Sequence, residues 1–194
     1  FFHGNNKSLD EIACGIEAGV HRFVVDNLHE LEMLKAEAAK AQTTVNVLLR
    51  IAPGVEAHTH TYMRTGQVDS KFGFGLEDGR ALEAIQATMQ SPHLRLCGLH
   101  AHIGSQIFEV ESYRLTAHIM VEFIDQLRQS LRVDIEELNL GGGLGIRYSE
   151  GDAPFGVDIL LEALAATLSE ECHSRDLPLP KLLLEPGRSI VGEA

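Results

Sequence analysis

Short apolar runs alternate along the chain with longer stretches in which apolar residues recur at helical spacing. Residues 22–26 (RFVVD), 45–51 (VNVLLRI), 94–100, 135–140 and 181–185 (KLLLE) are compact apolar runs of strand length. Phe1 and Phe2 read as the end of a further strand. Between them lie amphipathic segments. In residues 28–40 Leu28, Leu31, Met33 and Leu34 fall near helical spacing, and residues 80–89, 111–131 and 157–171 also predict helices. Residues 53–74 carry no regular pattern and are expected to be irregular.

Strands that alternate with helices predict parallel β/α units. About six strands are expected, with no internal repeat and no linker. The pattern alone admits a doubly wound sheet or a (β/α)8 barrel. The polar clusters favour the barrel, because they follow strand after strand: His3-Gly4-Asn5-Asn6, Asp26-Asn27, His102-Ile103-Gly104-Ser105-Gln106, Gly141-Gly142-Gly143 and Glu185-Pro186-Gly187-Arg188. Barrel enzymes carry functional groups at the carboxyl ends of many strands. A doubly wound sheet gathers them at one switch point. The expected fold is therefore α/β, a partial (β/α)8 TIM-type barrel with about six of eight units.

Composition narrows the function classes. The chain has 194 residues, 44% hydrophobic and 23% charged, which is ordinary for a globular domain. Its net charge of −12 argues against binding nucleic acid. The three cysteines, Cys14, Cys97 and Cys172, are far apart and match neither a disulfide framework nor a zinc site, so a reducing, cytoplasmic setting is expected. No apolar run approaches the roughly 20 residues of a membrane span, and no signal peptide is visible.

Four clusters could carry chemistry. Gly141, Gly142 and Gly143 follow a strand, where glycines let the backbone approach a ligand and turn N–H groups toward a phosphate; a tight turn is the plainer explanation. Glu185 and Arg188 could grip one polar ligand at two points, or simply pair across a loop. His100 and His102 share one strand face. His100 reads as a core histidine, whereas His102, beside Gly-Ser, is the better functional candidate, since an imidazole can stack on a flat ring. His58, His60 and the polar residues up to Phe74 read as a loop over a barrel mouth.

In order along the chain, HGNNKS (3–8), VVDNLHELEML (24–34), HTHTYMRTGQVDSKFGFG (58–75), GLHAHIGSQI (98–107), LNLGGGLGI (138–146) and EPGRSIVG (185–192) resemble the fold-type III pyridoxal 5'-phosphate (PLP) decarboxylases. Within that group they are most similar to the diaminopimelate decarboxylase family. The HTHxYxxTGxxxSKFG stretch and the glutamine of HIGSQ favour diaminopimelate over ornithine or arginine. The resemblance implies a carboxy-lyase that converts meso-2,6-diaminopimelate to L-lysine in lysine biosynthesis, with PLP as cofactor, an amino-acid substrate and a homodimeric full-length protein. His102 matches the histidine that stacks on the cofactor ring. Ser105 and Gly141 to Gly143 match its phosphate-binding groups. Glu185 matches the carboxylate on the pyridine nitrogen. Gly187 and Arg188 lie in the cofactor motif, with Arg188 also near the substrate carboxylate, and Lys71 matches a basic residue near the cofactor. No metal ligand is implied.

The family's Schiff-base lysine lies in a YAxKAN-like strand, and its C-terminal β domain completes the partner's site. Neither pattern occurs in the chain, so residues 1–194 are expected to be a partial barrel domain that is poorly stable and inactive alone. Lys7 is expected to be a solvated side chain at a helix start rather than the Schiff-base lysine. The alternatives are another fold-type III decarboxylase of the ornithine, arginine or carboxynorspermidine type, and a non-catalytic barrel fragment that binds PLP or phosphate. A metal-dependent hydrolase using His58, His60, His100 and His102 is the remaining one.

Overall fold

A computed structural model describes residues 1–55 and 71–192. The described residues divide into two compact units, residues 1–52 with 71–100 and residues 53–55 with 101–192. Each is built of strands and helices in alternation.

In the first unit, α1 (Leu9–Glu17) follows a capping box in which the Ser8 hydroxyl accepts from the Glu11 N–H and the Glu11 carboxylate accepts from the Ser8 N–H. β1 (Phe23–Val25), α2 (Leu28–Lys40), β2 (Val45–Ala52), β3 (Phe74–Gly75), α3 (Arg80–Met89) and β4 (Leu94–Ala101) come next. β1 pairs with β2 in parallel, Val24 opposite Leu48, and β2 pairs with β3 in parallel, Ile51 opposite Phe74. β4 flanks β2 on the side away from β1. α2 begins where the Asn27 side chain accepts from the Glu30 N–H, and it buries Leu31, Leu34 and Ala38, a spacing of three and four residues. α1 buries Ile12 and Gly15; a Cβ on Gly15 would come within 2.8 Å of the Phe23 ring.

In the second unit, α4 (Val110–Leu131), β5 (Glu137–Asn139), α5 (Val157–Ser174), β6 (Lys181–Leu183) and α6 (Gly187–Val191) follow in order. β5 and β6 are parallel, Leu138 opposite Leu182. α4 and α5 pack on each other, burying Ala117, Met120, Val121, Ile124 and Leu127 of α4 and Leu160, Leu164, Leu168 and Cys172 of α5. An isolated parallel bridge joins Ile107 to Leu144.

The alternating parallel architecture agrees with the pattern in the sequence, but three details differ. The strand expected at Phe1 is a single parallel bridge from Phe2 to Phe23. β3 emerges from the segment expected to be irregular, and α1, whose Leu9, Ile12 and Ile16 fall at helical spacing, and the five-residue α6 add two helices to those expected. Lys7 is not solvated. It is 4% exposed, and its ammonium donates to the Gly4 carbonyl (2.7 Å), the Val24 carbonyl (2.8 Å) and Glu30 (2.6 Å). A buried cation needs that full set of oxygen partners, and Glu30 on α2 supplies the charge. The histidines His58 and His60 lie outside the described residues.

Candidate functional site

The polar clusters of the first unit hold the fold together. Asp26, at the end of β1, is buried; its carboxylate pairs with Arg50 (3.0 Å) and accepts from the Gly73 N–H (3.0 Å). Arg50 in turn lies 4.6 Å from the exposed Phe72 ring, next to the exposed Lys71. Asn27 caps α2 and reaches the Asn5 carbonyl. His100 is a buried histidine at 2% exposure, edge-on to the His3 ring with centroids 5.2 Å apart. That agrees with its reading as a core residue.

The second unit gathers a different set. At the carboxyl ends of β5 and β6 the Leu140 N–H donates to the Leu183 carbonyl (3.0 Å) and the Glu185 N–H to the Gly141 carbonyl (2.7 Å). These bonds carry the pairing past the strands and set the glycine run beside Glu185. Gly141 and Gly143 have φ of +69° and +93°, the left-handed region that glycine enters freely. The glycines are also needed for close approach. A Cβ on Gly141 would lie 2.7 Å from the Ala101 carbonyl, one on Gly142 would collide with the Glu185 carbonyl, and one on Gly143 with the Gly104 carbonyl. The run is therefore held close against the backbones of its own unit.

His102, half-buried, stands against this run, its Nδ1 accepting from the Gly142 N–H at 3.3 Å. An accepting Nδ1 belongs to the neutral ring with its proton on Nε2. The Gly142 carbonyl accepts from the Tyr113 hydroxyl (3.0 Å). Burial pushes that phenol's pKa well up, so it stays a donor. The half-buried Glu185 accepts from the Asn139 side-chain amide (2.7 Å), and the same amide's oxygen accepts from the Gly141 N–H (2.8 Å).

Of the residues the sequence singles out, His102, Gly141, Gly142, Gly143 and Glu185 are brought together. Ser105 is exposed on a bend next to Gly104. Gly187 and Arg188 open α6; both are exposed, and the Arg188 guanidinium lies 5.9 Å from the Tyr148 ring centroid. Gln106 (φ +58°) grips the Ile146 backbone at both ends, donating to its carbonyl (3.1 Å) and accepting from its N–H (3.0 Å). Two participants escaped the sequence reading, Asn139 and Tyr113. A lone amide at the end of the apolar strand LNL is the one signal that marks the first. Nothing in the α4 pattern distinguishes the second from a core tyrosine.

The sequence profile described as "Pyridoxal-dependent decarboxylase, pyridoxal binding domain" matches residues 1–192. Diaminopimelate decarboxylases of Halalkalibacterium halodurans and Bacillus subtilis are each 44% identical over 193 residues, all of this chain and 44% of theirs. The chain thus spans under half the length of these relatives. A crystal structure of diaminopimelate decarboxylase from M. jannaschii superposes with a TM-score of 0.88 at 35% identity, covering 98% of this chain and 43% of that one. The same enzyme in co-complex with L-lysine gives 0.87.

Proposed function

This chain belongs to the pyridoxal-dependent decarboxylase family, through its pyridoxal-binding domain, and on that premise we propose that the protein carrying it decarboxylates meso-2,6-diaminopimelate to L-lysine. Residues 1–194 are then a partial PLP-binding (β/α) barrel domain. The observation that carries the reading is the joined constellation of Glu185, Asn139, the glycine run and His102 in one unit. The similarity to diaminopimelate decarboxylases over the whole chain favours the substrate.

The residues present fit PLP. The cofactor has a phosphate at one end and a basic ring nitrogen at the other. The phosphate role of the glycine run is supported by its place after a strand and by the matching family motif, while the Cβ positions of its glycines are taken by the protein's own carbonyls. Glu185 offers a carboxylate, and the amide donor on it favours its charged form. When bound, PLP supplies the electron sink for the pair left behind as CO2 departs.

The chain's own groups do the rest. Glu185 holds the proton on the ring nitrogen. Gly141 to Gly143, with Ser105 and Gly187, are the groups that would hold the phosphate, the Gly141 and Gly142 N–H groups being donated to Asn139 and His102 in this structure, and His102 is the imidazole that would stack on the ring. Arg188, an exposed planar fork, is suited to anchor a phosphate or a substrate carboxylate. Lys71 has no stronger assignment than an exposed cation near the loop. The full-length protein is a homodimer in the cytoplasm on this reading; no helix among the described residues is long and apolar enough to cross a membrane.

The test uses full-length protein with added PLP, offered diaminopimelate, ornithine and arginine in turn. Release of CO2 and lysine from diaminopimelate, at a kcat/KM well above the other two, is expected. Preference for ornithine or arginine would replace the substrate, and PLP binding without any CO2 release would leave a non-catalytic domain.

A further inference from the structure

Asn139 is the last residue of β5 and is 2% exposed. Its amide makes two bonds of opposite sense: Nδ2 donates to Glu185 Oε1 at 2.7 Å, and Oδ1 accepts from the Gly141 N–H at 2.8 Å. Only one orientation of the amide fits. Turned over, it would set oxygen against the carboxylate and NH2 against an N–H.

Ending the strand does not require the bond to Glu185. The backbone bonds from Leu140 to Leu183 and from Glu185 to Gly141 already join the strand ends. What the side chain adds is a fixed donor on one oxygen of the Glu185 carboxylate. One peptide further on, Gly142 is held by the His102 imidazole and the Tyr113 hydroxyl. A single buried amide therefore ties the carboxylate to the glycine run and, through Gly142, to the imidazole.

We propose that Asn139 is a positioning residue of the PLP site, which aims the Glu185 carboxylate at the ring nitrogen and fixes its distance from the phosphate-binding glycines. The inference rests on the reading of Glu185 as the partner of that nitrogen. A donor on the carboxylate favours its charged form, which in turn keeps the nitrogen protonated. Without the amide the carboxylate loses that aimed donor, and the nitrogen is expected to lose its proton more readily.

The experiment follows the ¹⁵N chemical shift of the cofactor ring nitrogen against pH in full-length holoprotein. Asn139→Leu is compared with the parent and with Glu185→Ala; Asn139→Ala, whose cavity admits a water for the Gly141 N–H, serves if the leucine variant does not fold. The midpoint at which the nitrogen loses its proton is expected to fall by about one pH unit or more in the Asn139 variants, and further in Glu185→Ala. A shift in Glu185→Ala with none in the Asn139 variants overturns the role of Asn139, even if their melting temperatures fall. A parent-like titration in Glu185→Ala overturns the reading of Glu185 itself.

Discussion

Lys7 shows what a single residue can hide. In the sequence it stands between Asn6 and Ser8 at a helix start, where a lysine is ordinarily solvated. In the fold its ammonium is surrounded by two carbonyls and the Glu30 carboxylate. Glu30 also accepts from the Asp26 N–H (3.0 Å), so the pair ties the start of α1, the end of β1 and the first turn of α2 together. Burial raises the Glu30 pKa, and Lys7 offsets only part of that. Removing the cation leaves a buried carboxylate with the Asp26 N–H but without its charge partner, and Lys7→Met is expected to cost about 3–5 kcal/mol. The sign with pH follows from the raised pKa. At neutral pH the stranded carboxylate must stay charged or bind a proton, and both destabilise the variant. As pH falls through the raised pKa it protonates readily, so the gap from the parent narrows in acid. Lys7→Met with Glu30→Gln, which keeps the acceptor for Asp26, should recover most of the loss. Denaturant midpoints at several pH values test this; a single variant as stable as the parent at neutral pH would show that the pair contributes nothing.

At the scale of elements, α4 and α5 are joined by packing and by one polar cluster. His118 Nδ1 lies 2.8 Å from Glu171, which also pairs with Arg175 one turn on. Partial burial pushes the Glu171 pKa up, but the His118 and Arg175 bonds outweigh it and the net shift is downward. A carboxylate held below its ordinary value contributes stability that is present above pH about 4.5 and is lost as pH falls through the lowered value. The cluster is partly exposed, so Glu171→Gln is expected to cost only about 0.5–1 kcal/mol at neutral pH, with the difference from the parent vanishing in acid. Melting temperatures of the two proteins at pH 7 and at a pH below the lowered Glu171 value check it; an unchanged difference at both would assign the effect to packing. The helices of this pair were legible in the sequence because α4 and α5 are long and bury one stripe each. α2 and α3 were legible for the same reason. α6 has five residues and buries none, β3 has two, and neither can carry a period. α1 was legible in principle from its capping box and from Leu9, Ile12 and Ile16, but with nine residues and a glycine, Gly15, placed for approach to Phe23, its stripe is short. The glycine run and Glu185 were legible as motifs. The reason for the glycines was not, since the carbonyls they approach come from residues 101, 104 and 185, distant in sequence.

For the whole molecule, the question is which lysine the cofactor meets. The chain has five, Lys7, Lys35, Lys40, Lys71 and Lys181. Lys7 is spent in its buried pair, while Lys35 and Lys40 reach Glu32 and Glu37 on the outer face of α2. Lys181 is exposed at the amino end of β6, two strand positions before Leu183 and remote from the carboxyl end where Glu185 stands. A buried ammonium that makes three charge-assisted or carbonyl bonds is a poor nucleophile, because its free amine would give up one donor and the charge that pairs with Glu30. Lys71 stands exposed beside Phe72, outside any motif that resembles the Schiff-base strand, so the proposed activity is expected to draw its amine from another part of the protein, the chain spanning 44% of its relatives' length. Reducing the PLP-loaded full-length protein with borohydride and mapping the labelled peptide should recover the pyridoxyl group on a lysine outside residues 1–194. Recovery on Lys7 would mean that the pair with Glu30 opens in the loaded protein, and recovery on Lys71 would put the exposed loop cation beside Phe72 at the reacting end of the cofactor.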